Sequence, residues 1–582
     1  MAPSQQSSSI EHIATSSLRL CTIPPSRPNT LILFDVFNPS DADLVNSPSP
    51  FLIPGWEQLL RQYPDRQLVS ALLGILKKGC RIGYDGEKQL ILSKNLKSIN
   101  LDVQSLQSTL DDDLIKGRVI HRFPTFPFIS SPLGLVPKHD GGFRRIHHLS
   151  YPKENSVNAG IAERFASLKY TTFWAVLERV KRAGRHCYLL KRDIKSAFRN
   201  IPVATEIQWL LGFMWRDLYY SETCLPFGLR TAPFIFNLFA EALHWILLAY
   251  TQWLELEHYL DDYVLVVPPS LCSPEHLQKL HQEYNEITEV LGVPQNKTKD
   301  MEGTVIPVFG IEVDTTEMIA RVPLDKISRV QSMCSSVLEH KSMSLHNAQK
   351  LAGLLSFCSQ VVQLGWVYLR RIWDFIRDFP SGISRHARRR LPGDVRDDIE
   401  WWLHLFPLFN GIIFFGDERE TVYLYTDASR IGLGGFYFSG FNGSWEAAAS
   451  ALPKTSLYAR RSTQTNAATE EFNVNPEEVQ AVLEGFKLWA LLWQQKKVIV
   501  RTDNFTTASG LSRTTLKGKS NAPLREIMLL AAANDIEVHS EWIAGETNAL
   551  ADALSRFATA TFTNLCPQFP LGFASLTHLV DG

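Results

Sequence analysis

Two adjacent aspartates, Asp261 and Asp262, interrupt the apolar run HYLDDYVLVV. Carboxylates about 4 Å apart repel by roughly 4 kcal/mol at an intermediate dielectric. Such a pair needs water or a counter-charge. Its flanks are strand formers, which places it at a tight hairpin turn. A third acid, Asp193, ends the apolar run Tyr188–Leu190 after Lys191 and Arg192, in CYLLKRDIKSAF. A strand there, laid beside the hairpin, makes three carboxylates converge. A cluster of that kind binds two divalent cations, which cancel the repulsion and suit an in-line displacement at phosphorus. Oxygen-only ligands favour magnesium over zinc, with manganese as a substitute. The chemistry expected is nucleotidyl transfer, with a primer hydroxyl attacking an α-phosphate and pyrophosphate leaving.

Other stretches carry parts that this reaction needs. In SPLGLVPKHDGGFRRIHHLSYP, Lys138 and Arg144 flank an Asp-Gly-Gly turn, so both can project from one hairpin and clamp a triphosphate. In LPFGLRTAPFIFN, Gly228 and Pro233 frame a loop before a helix, and Gly228 lets backbone approach a nucleotide closely. Each of these also reads, alone, as an ordinary basic hairpin or helix lead-in.

The elements that must position these residues follow from pattern. A chain of 582 residues, 45% hydrophobic and 20% charged, is globular, and its length fits about four domains. The net charge of −1 excludes a uniformly basic nucleic-acid binder, so a polyanion site must be local. Eight cysteines without a CxxC pair argue against a zinc ribbon or a disulfide scaffold and fit a reducing compartment. No secretory signal opens the chain. Ile235–Tyr250 reads as a buried helix and not a membrane span, so a soluble, intracellular protein with no membrane partner is expected. Residues 1–50 form a Ser/Pro-rich tail expected to be disordered. A helical extension covers 51–122, with Gly79 as a helix stop. Strands and helices alternate over 123–324, helices dominate 325–415, a second α/β pattern fills 416–560, and 561–582 is a tail.

Taken in order, RDIKSAF, LPFGLRTAPFIFN, YLDD, NKTKD and VFGIEV resemble the successive motifs of reverse transcriptases. IHHLSYPKENSVNAGI, DIKSAFRNIPV and HYLDDYVLV are most similar to DIRS-like, tyrosine-recombinase retrotransposons. Retroviral enzymes usually carry an acid near His148 and a glutamine at the Phe227 position, and these departures fit that subgroup. The resemblance implies that Asp193, Asp261 and Asp262 are metal ligands, assisted by the Ile194 carbonyl. It implies that Phe198 is the aromatic gate that excludes a ribose 2′-hydroxyl, and that Phe227 and Gly228 line the nucleotide. It puts Lys297 near the departing pyrophosphate, with Lys299 close enough to compete. It makes the helix SLHNAQKLAGLLSFCSQVVQLGWVYLRR a thumb helix whose Gln349, Gly353 and Phe357, four apart, share one face along the template–primer groove. Arg370, Arg371 and Arg388–Arg390 downstream could then meet backbone phosphates.

The distal domain offers a second acidic set: Asp427 in LYTDAS, Glu478 in PEEVQAVLEG, Asp503 in VRTDN and Asp552 in NALADALSR. This order of strand-Asp, helix-Glu, strand-Asp and helix-Asp resembles ribonuclease H. The resemblance implies two magnesium ions that activate water against RNA. Glu477 neighbours Glu478, which is chosen for its spacing to Ala481. EWIAGETNALAD lacks the histidine that many such enzymes carry before the last aspartate.

The expected fold is therefore α+β and multidomain: a right-hand polymerase with fingers, palm and thumb, followed by a ribonuclease H-like α/β domain. The expected function is RNA-directed DNA synthesis in a retrotransposon, with degradation of RNA in RNA–DNA hybrids. Implied partners are an RNA template, a DNA primer, the hybrid and deoxynucleoside triphosphates, and a recombinase would be encoded elsewhere in the element. The alternative is a silent, domesticated scaffold that binds nucleic acid, against which stands the presence of all seven carboxylates.

Overall fold

The computed structural model describes residues 48–137, 141–362, 364–413, 419–441, 444–453 and 474–565. Nearly all of the expected 1–50 tail, the residues after 565 and Lys138 lie outside them. The chain forms two compact units. One runs to Phe309 and includes Val313–Glu317, and the other holds Gly310–Glu312 and continues from Met318.

The first unit contains, in order, α1 (Ile53–Leu59), α2 (Arg66–Lys78), β1 (Leu90–Leu92), α3 (Val103–Ile115), β2 (Val119–His121), β3 (Phe128–Ser130), β4 (Leu133–Pro137), β5 (Phe143–His147), α4 (Phe173–Ala183), β6 (Tyr188–Asp193), β7 (Gly212–Trp215), β8 (Leu218–Glu222), α5 (Ala232–Tyr250), β9 (Glu255–Tyr259), β10 (Asp262–Val267), α6 (Pro274–Leu291) and β11 (Met301–Gly303). Two sheets organise it. The antiparallel sheet β11-β6-β10-β9 carries the paired aspartates, and the sheet β1-β3-β7-β8-β2 lies beside a β4–β5 hairpin. Tyr263–Val267 of β10 are all buried, which explains why that strand reads as an unbroken apolar run and not an alternating one.

Helix α5 begins at Ala232, three residues before the apolar stretch marked in the sequence. It is long and apolar enough to cross a membrane, yet 78% of its apolar window is buried inside the protein. A helix that is hydrophobic all round belongs in a core, and here it meets the N-terminal extension. Trp56 donates its indole N–H to the Leu291 carbonyl at 3.0 Å and packs edge-on against Phe239, while Tyr63 packs on Trp245. The extension's Leu59, Leu60, Leu72 and Ile75 are buried in the same core as α5 and β10. Helix α2 runs from its Asp65 cap, which accepts from the Leu68 N–H, to Gly79. Helix α3 joins a second core with Phe213, Trp215 and Tyr220.

The chain continues through β12 (Val305–Val308), β13 (Ile311–Asp314) and β14 (Ile319–Arg321). The second unit then holds α7 (Leu324–Leu338), β15 (Ser342–Ser344), α8 (Leu345–Cys358), α9 (Arg370–Arg377), β16 (Arg388–Arg390), α10 (Gly393–His404) and β17 (Ile412–Ile413). These are followed by β18 (Thr421–Ala428), β19 (Gly432–Phe441), β20 (Ser444–Pro453), α11 (Val474–Trp489), β21 (Lys497–Thr502), α12 (Phe505–Ser512), α13 (Asn521–Ala533), β22 (Glu537–Trp542), α14 (Ala549–Ser555) and α15 (Thr559–Leu565). The five-stranded sheet has the order β20-β19-β18-β21-β22, antiparallel among the first three and parallel from β18 to β22. The architecture is the α+β, multidomain arrangement expected, with an α/β layer in the distal part of the chain.

Helix α10 is riveted to α13 inside the second unit. Asp398, fully buried, accepts from Arg525 at 2.6 Å and from Arg371 at 3.4 Å. The Arg525 guanidinium also lies over the Tyr368 ring, which stacks on Trp401. Burial pushes the Asp398 carboxyl up to about 6 against the pull of Arg525. Asp398→Ala is expected to lower the urea-unfolding free energy of this unit by about 3 kcal/mol, because it strands two guanidinium groups. Asp398→Asn, which keeps an acceptor, should lose clearly less.

Candidate active sites

Strand β6 delivers Asp193 and the β9–β10 hairpin delivers Asp261 and Asp262. In register, Asp262 lies opposite Asp193 on one side and Tyr259 on the other. The turn is therefore Leu260–Asp261, and Leu260 takes a φ of 53°, a left-handed conformation that a leucine seldom adopts. The Ile194 N–H donates to the Asp261 carbonyl at 3.0 Å, which ties the turn to the end of β6. Ile194 also bridges to Gln295.

Asp193 is buried and well held. Its Oδ1 accepts from the Asn296 amide at 2.7 Å, its Oδ2 meets the Lys299 ammonium at 3.1 Å, and its N–H donates to Asp300 at 3.3 Å. Lys191 meets Asp262 at 3.3 Å. Of the two lysines in NKTKD, Lys299 is the one in contact with Asp193, and Lys297 is exposed on the turn. The backbone explains the choice. Asn296 N–H donates to the Asp193 carbonyl and Lys299 N–H donates to the Asn296 carbonyl, so one turn brings Lys299 back to the strand end. Asn296 and Asp300 were not singled out from sequence, although both stand in that motif.

Phe198, Phe227 and Arg144 gather beside this strand end. Phe198 lies 5.3 Å from Phe227 and 5.8 Å from Phe236, ring to ring, and the Arg144 guanidinium sits 5.3 Å over Phe227. Gly228 has φ +108°, and a Cβ there would come within 2.0 Å of the His147 carbonyl. Only glycine fits where this loop crosses β5. Asn158, which sequence reading passed over, pins the loop: its amide donates to the Gly228 carbonyl at 2.8 Å and its carbonyl accepts from the Arg230 N–H at 2.9 Å.

In the second unit the buried face of α8 is Ala348, Leu351, Ala352, Leu355 and Cys358. Gln349 and Gly353 are exposed on the other face, and a Cβ at Gly353 would meet nothing within 4 Å. A small residue on this face is thus not explained by helix packing. Phe357 is half-buried under the Lys326 ammonium. Arg370 pairs with Asp374, Arg371 with Asp394 and Asp398, and Arg389 with Asp378.

The second acidic set gathers at the ends of β18 and β21. Asp427, Glu478 and Asp503 offer carboxylate oxygens that all lie within 4.8 Å of one another. Glu478 on α11, not Glu477, is the member of this group. Asp552 on α14 pairs with Arg556 at 2.7 Å, and its charge reaches Asp427. Asp427 Oδ2 accepts from the buried Ser555 hydroxyl at 2.6 Å. Burial raises the Asp427 carboxyl, the Ser555 bond opposes this, and Asp503 and Asp552 raise it further. A Cβ at Gly434 would come within 2.3 Å of the Ser555 nitrogen, so the glycine of β19 is what lets α14 seat Ser555 against Asp427. All-carboxylate donors at this spacing fit a hard divalent cation.

The reverse transcriptase (RNA-dependent DNA polymerase) family profile matches residues 136–319. The chain contains a reverse transcriptase domain. The match spans β5, β6, α5 and the β9–β10 hairpin, so it holds all three clustered aspartates of the first unit. The chain is 23% identical over 479 residues to the retrovirus-related Pol polyprotein from transposon 412 of Drosophila melanogaster, covering 80% of this chain and 34% of that protein. It is 23% identical over 397 residues to polyprotein P3 of Commelina yellow mottle virus, covering 65% of this chain and 18% of that protein. Among solved structures, a foamy viral protease–reverse transcriptase in complex with an RNA/DNA hybrid is similar at 12% identity and a TM-score of 0.44, covering 90% of this chain and 88% of that one.

The first acidic cluster has a measurable signature. Burial, then the charges of Asp262 and Asp193, push the Asp261 carboxyl from 3.8 up to about 6. The fold favours the neutral acid, so its stability rises as pH falls through about 6, and the penalty is fully present above that value. In EDTA at pH 7.5, Asp261→Asn is expected to raise the unfolding free energy by up to about 3 kcal/mol, at 1.36 kcal/mol for each pKa unit. That gain should shrink as the pH is lowered from 6 towards 4, and a flat difference in urea melts across this range would contradict the assignment.

Proposed function

We propose that the chain is an RNA-directed DNA polymerase of a retrotransposon, with ribonuclease activity on RNA–DNA hybrids. The observation that carries this reading is the register pairing of Asp193 with Asp262, with Asp261 in the adjoining turn, inside a reverse transcriptase domain. Asp193, Asp261 and Asp262 would hold magnesium in the polymerase, with the Ile194 carbonyl beside them. Asp427, Glu478, Asp503 and Asp552 would hold it in the nuclease. Bound divalent cations lower the pKa of the attacking hydroxyl or water and offset charge on the leaving oxygen.

The chain's own residues do the rest. Arg144 orients the triphosphate from the hairpin, together with Lys138. Phe198 fills the space that a ribose 2′-hydroxyl would need, held in place by Phe227 and Phe236. Lys299, which already meets Asp193, is better placed than Lys297 to accompany pyrophosphate as it leaves. Gln349, Gly353 and Phe357 form an open helix face for the minor groove of template–primer. The resemblance of IHHLSYPKENSVNAGI and HYLDDYVLV to DIRS-like sequences supports a source element of the tyrosine-recombinase group, whose recombinase would be a separate protein or region.

Two variants separate the sites. Asp262→Asn is expected to abolish primer extension on an RNA template while leaving cleavage of a preformed hybrid intact, and Asp503→Asn should do the reverse. Wild-type binding to template–primer without extension would instead favour a silent scaffold. Phe198→Ala is expected to raise ribonucleotide incorporation, read on gels with single-ribonucleotide mixes, and unchanged sugar selection in an active variant would remove its gating role.

A further inference from the structure

A closed ring of four charged side chains lies beneath the strand that carries Arg144. Arg145 meets Asp113 at 2.7 Å and Glu222 at 3.1 Å, and Arg199 meets Glu222 at 2.6 Å and Asp113 at 3.1 Å. No side chain of the four is more than 9% exposed. Each acid bridges both arginines, so the ring is neutral and every member touches two others. Its parts come from four places: α3 of the N-terminal extension, β5, β8 and the turn after β6. Burial opposes the charge on Glu222, yet Arg145 and Arg199 hold its carboxyl below the usual range. His147, two residues along the same strand face as Arg145, donates its Nε2–H to the Gly212 carbonyl at 3.0 Å, and burial pushes its pKa down to about 4. It therefore stays neutral and adds no third positive charge.

The ring's neighbours in sequence are what give it a role. Successive side chains of a strand face opposite ways, so Arg145 anchored inward leaves Arg144 outward, over Phe227. Arg199 anchored in the turn leaves Phe198 beside Phe227 and Phe236. We propose that Asp113 and Glu222 are positioning residues for the deoxynucleotide pocket: through Arg145 and Arg199 they fix where Arg144 and Phe198 stand relative to each other. The inference rests on the polymerase reading above and assigns a task to the N-terminal extension. Displacements of about 1 Å in such supports cost up to a hundredfold in rate.

The test compares full-length wild type, Asp113→Asn, Glu222→Gln and Asp113→Glu in single-nucleotide extension on an RNA template, with hybrid cleavage by the same chain as the control for folding. The expected result is a rise of about tenfold in KM for the deoxynucleotide, a smaller fall in kcat and weaker discrimination against ribonucleotides, with cleavage unchanged and partial rescue in Asp113→Glu. Wild-type KM and sugar selection in a folded Asp113→Asn would overturn the proposal. So would a fall in kcat with KM and sugar selection unchanged, or equal losses of extension and cleavage, which mark a merely structural ring. If Asp113→Asn does not fold, the isosteric Glu222→Gln decides by the same criteria. A wild type that cleaves hybrid but never extends a primer would instead remove the polymerase reading, and this proposal with it.

Discussion

Like charges do not gather unaided, and both units of this protein are built around acids that repel. The repulsion within one such group is a few kcal/mol, comparable to the net stability of a whole domain. What opposes it here is backbone geometry. Asp193 and Asp262 face each other because two antiparallel strands are hydrogen-bonded in that register, and Asp261 cannot retreat because its carbonyl is held by the Ile194 N–H. The left-handed Leu260 in the turn belongs to the same bargain: a strained residue persists where its surroundings over-determine it. In the second unit Ser555 plays the equivalent part for Asp427, seated there by a helix pressed onto a glycine.

The supports of these groups reach farther than the groups themselves. Residues 51–115 are no appendage, since α1 and α2 complete the apolar core around α5, and α3 sends Asp113 into the ring of ion pairs. Replacing one member of a buried ring strands its partners, which couples the extension to the strands beside the clustered aspartates.

Fold class was legible because its cues are local. The apolar runs at 188–190 and 263–267, the amphipathic extension helices and the alternation from Thr421 onward each announce an element within a few residues. The ends were less so: α11 starts at Val474, two residues before the Pro476 that marks it in sequence. Side-chain partnerships across long separations were not legible at all. Asp113 closes the run LDDDL and reads as one of three solvated acids, and nothing nearby indicates two arginines arriving from positions 145 and 199. The choice between Lys297 and Lys299 depends on a turn anchored to the Asp193 carbonyl, a contact that spacing in NKTKD cannot reveal. Asn158 is hidden for the same reason, because its partners lie some 70 positions on.

The rivet between α10 and α13 bears on how this chain can be divided. Composition invites a cut near residue 415, where helices give way to strands. A fragment beginning there would carry Arg525 without Asp398 and Tyr368, leaving a guanidinium and its apolar surroundings open to water. The boundary visible along the polymer is therefore not a boundary in space, and the smallest autonomous piece that carries the second acidic set must take the preceding helices with it.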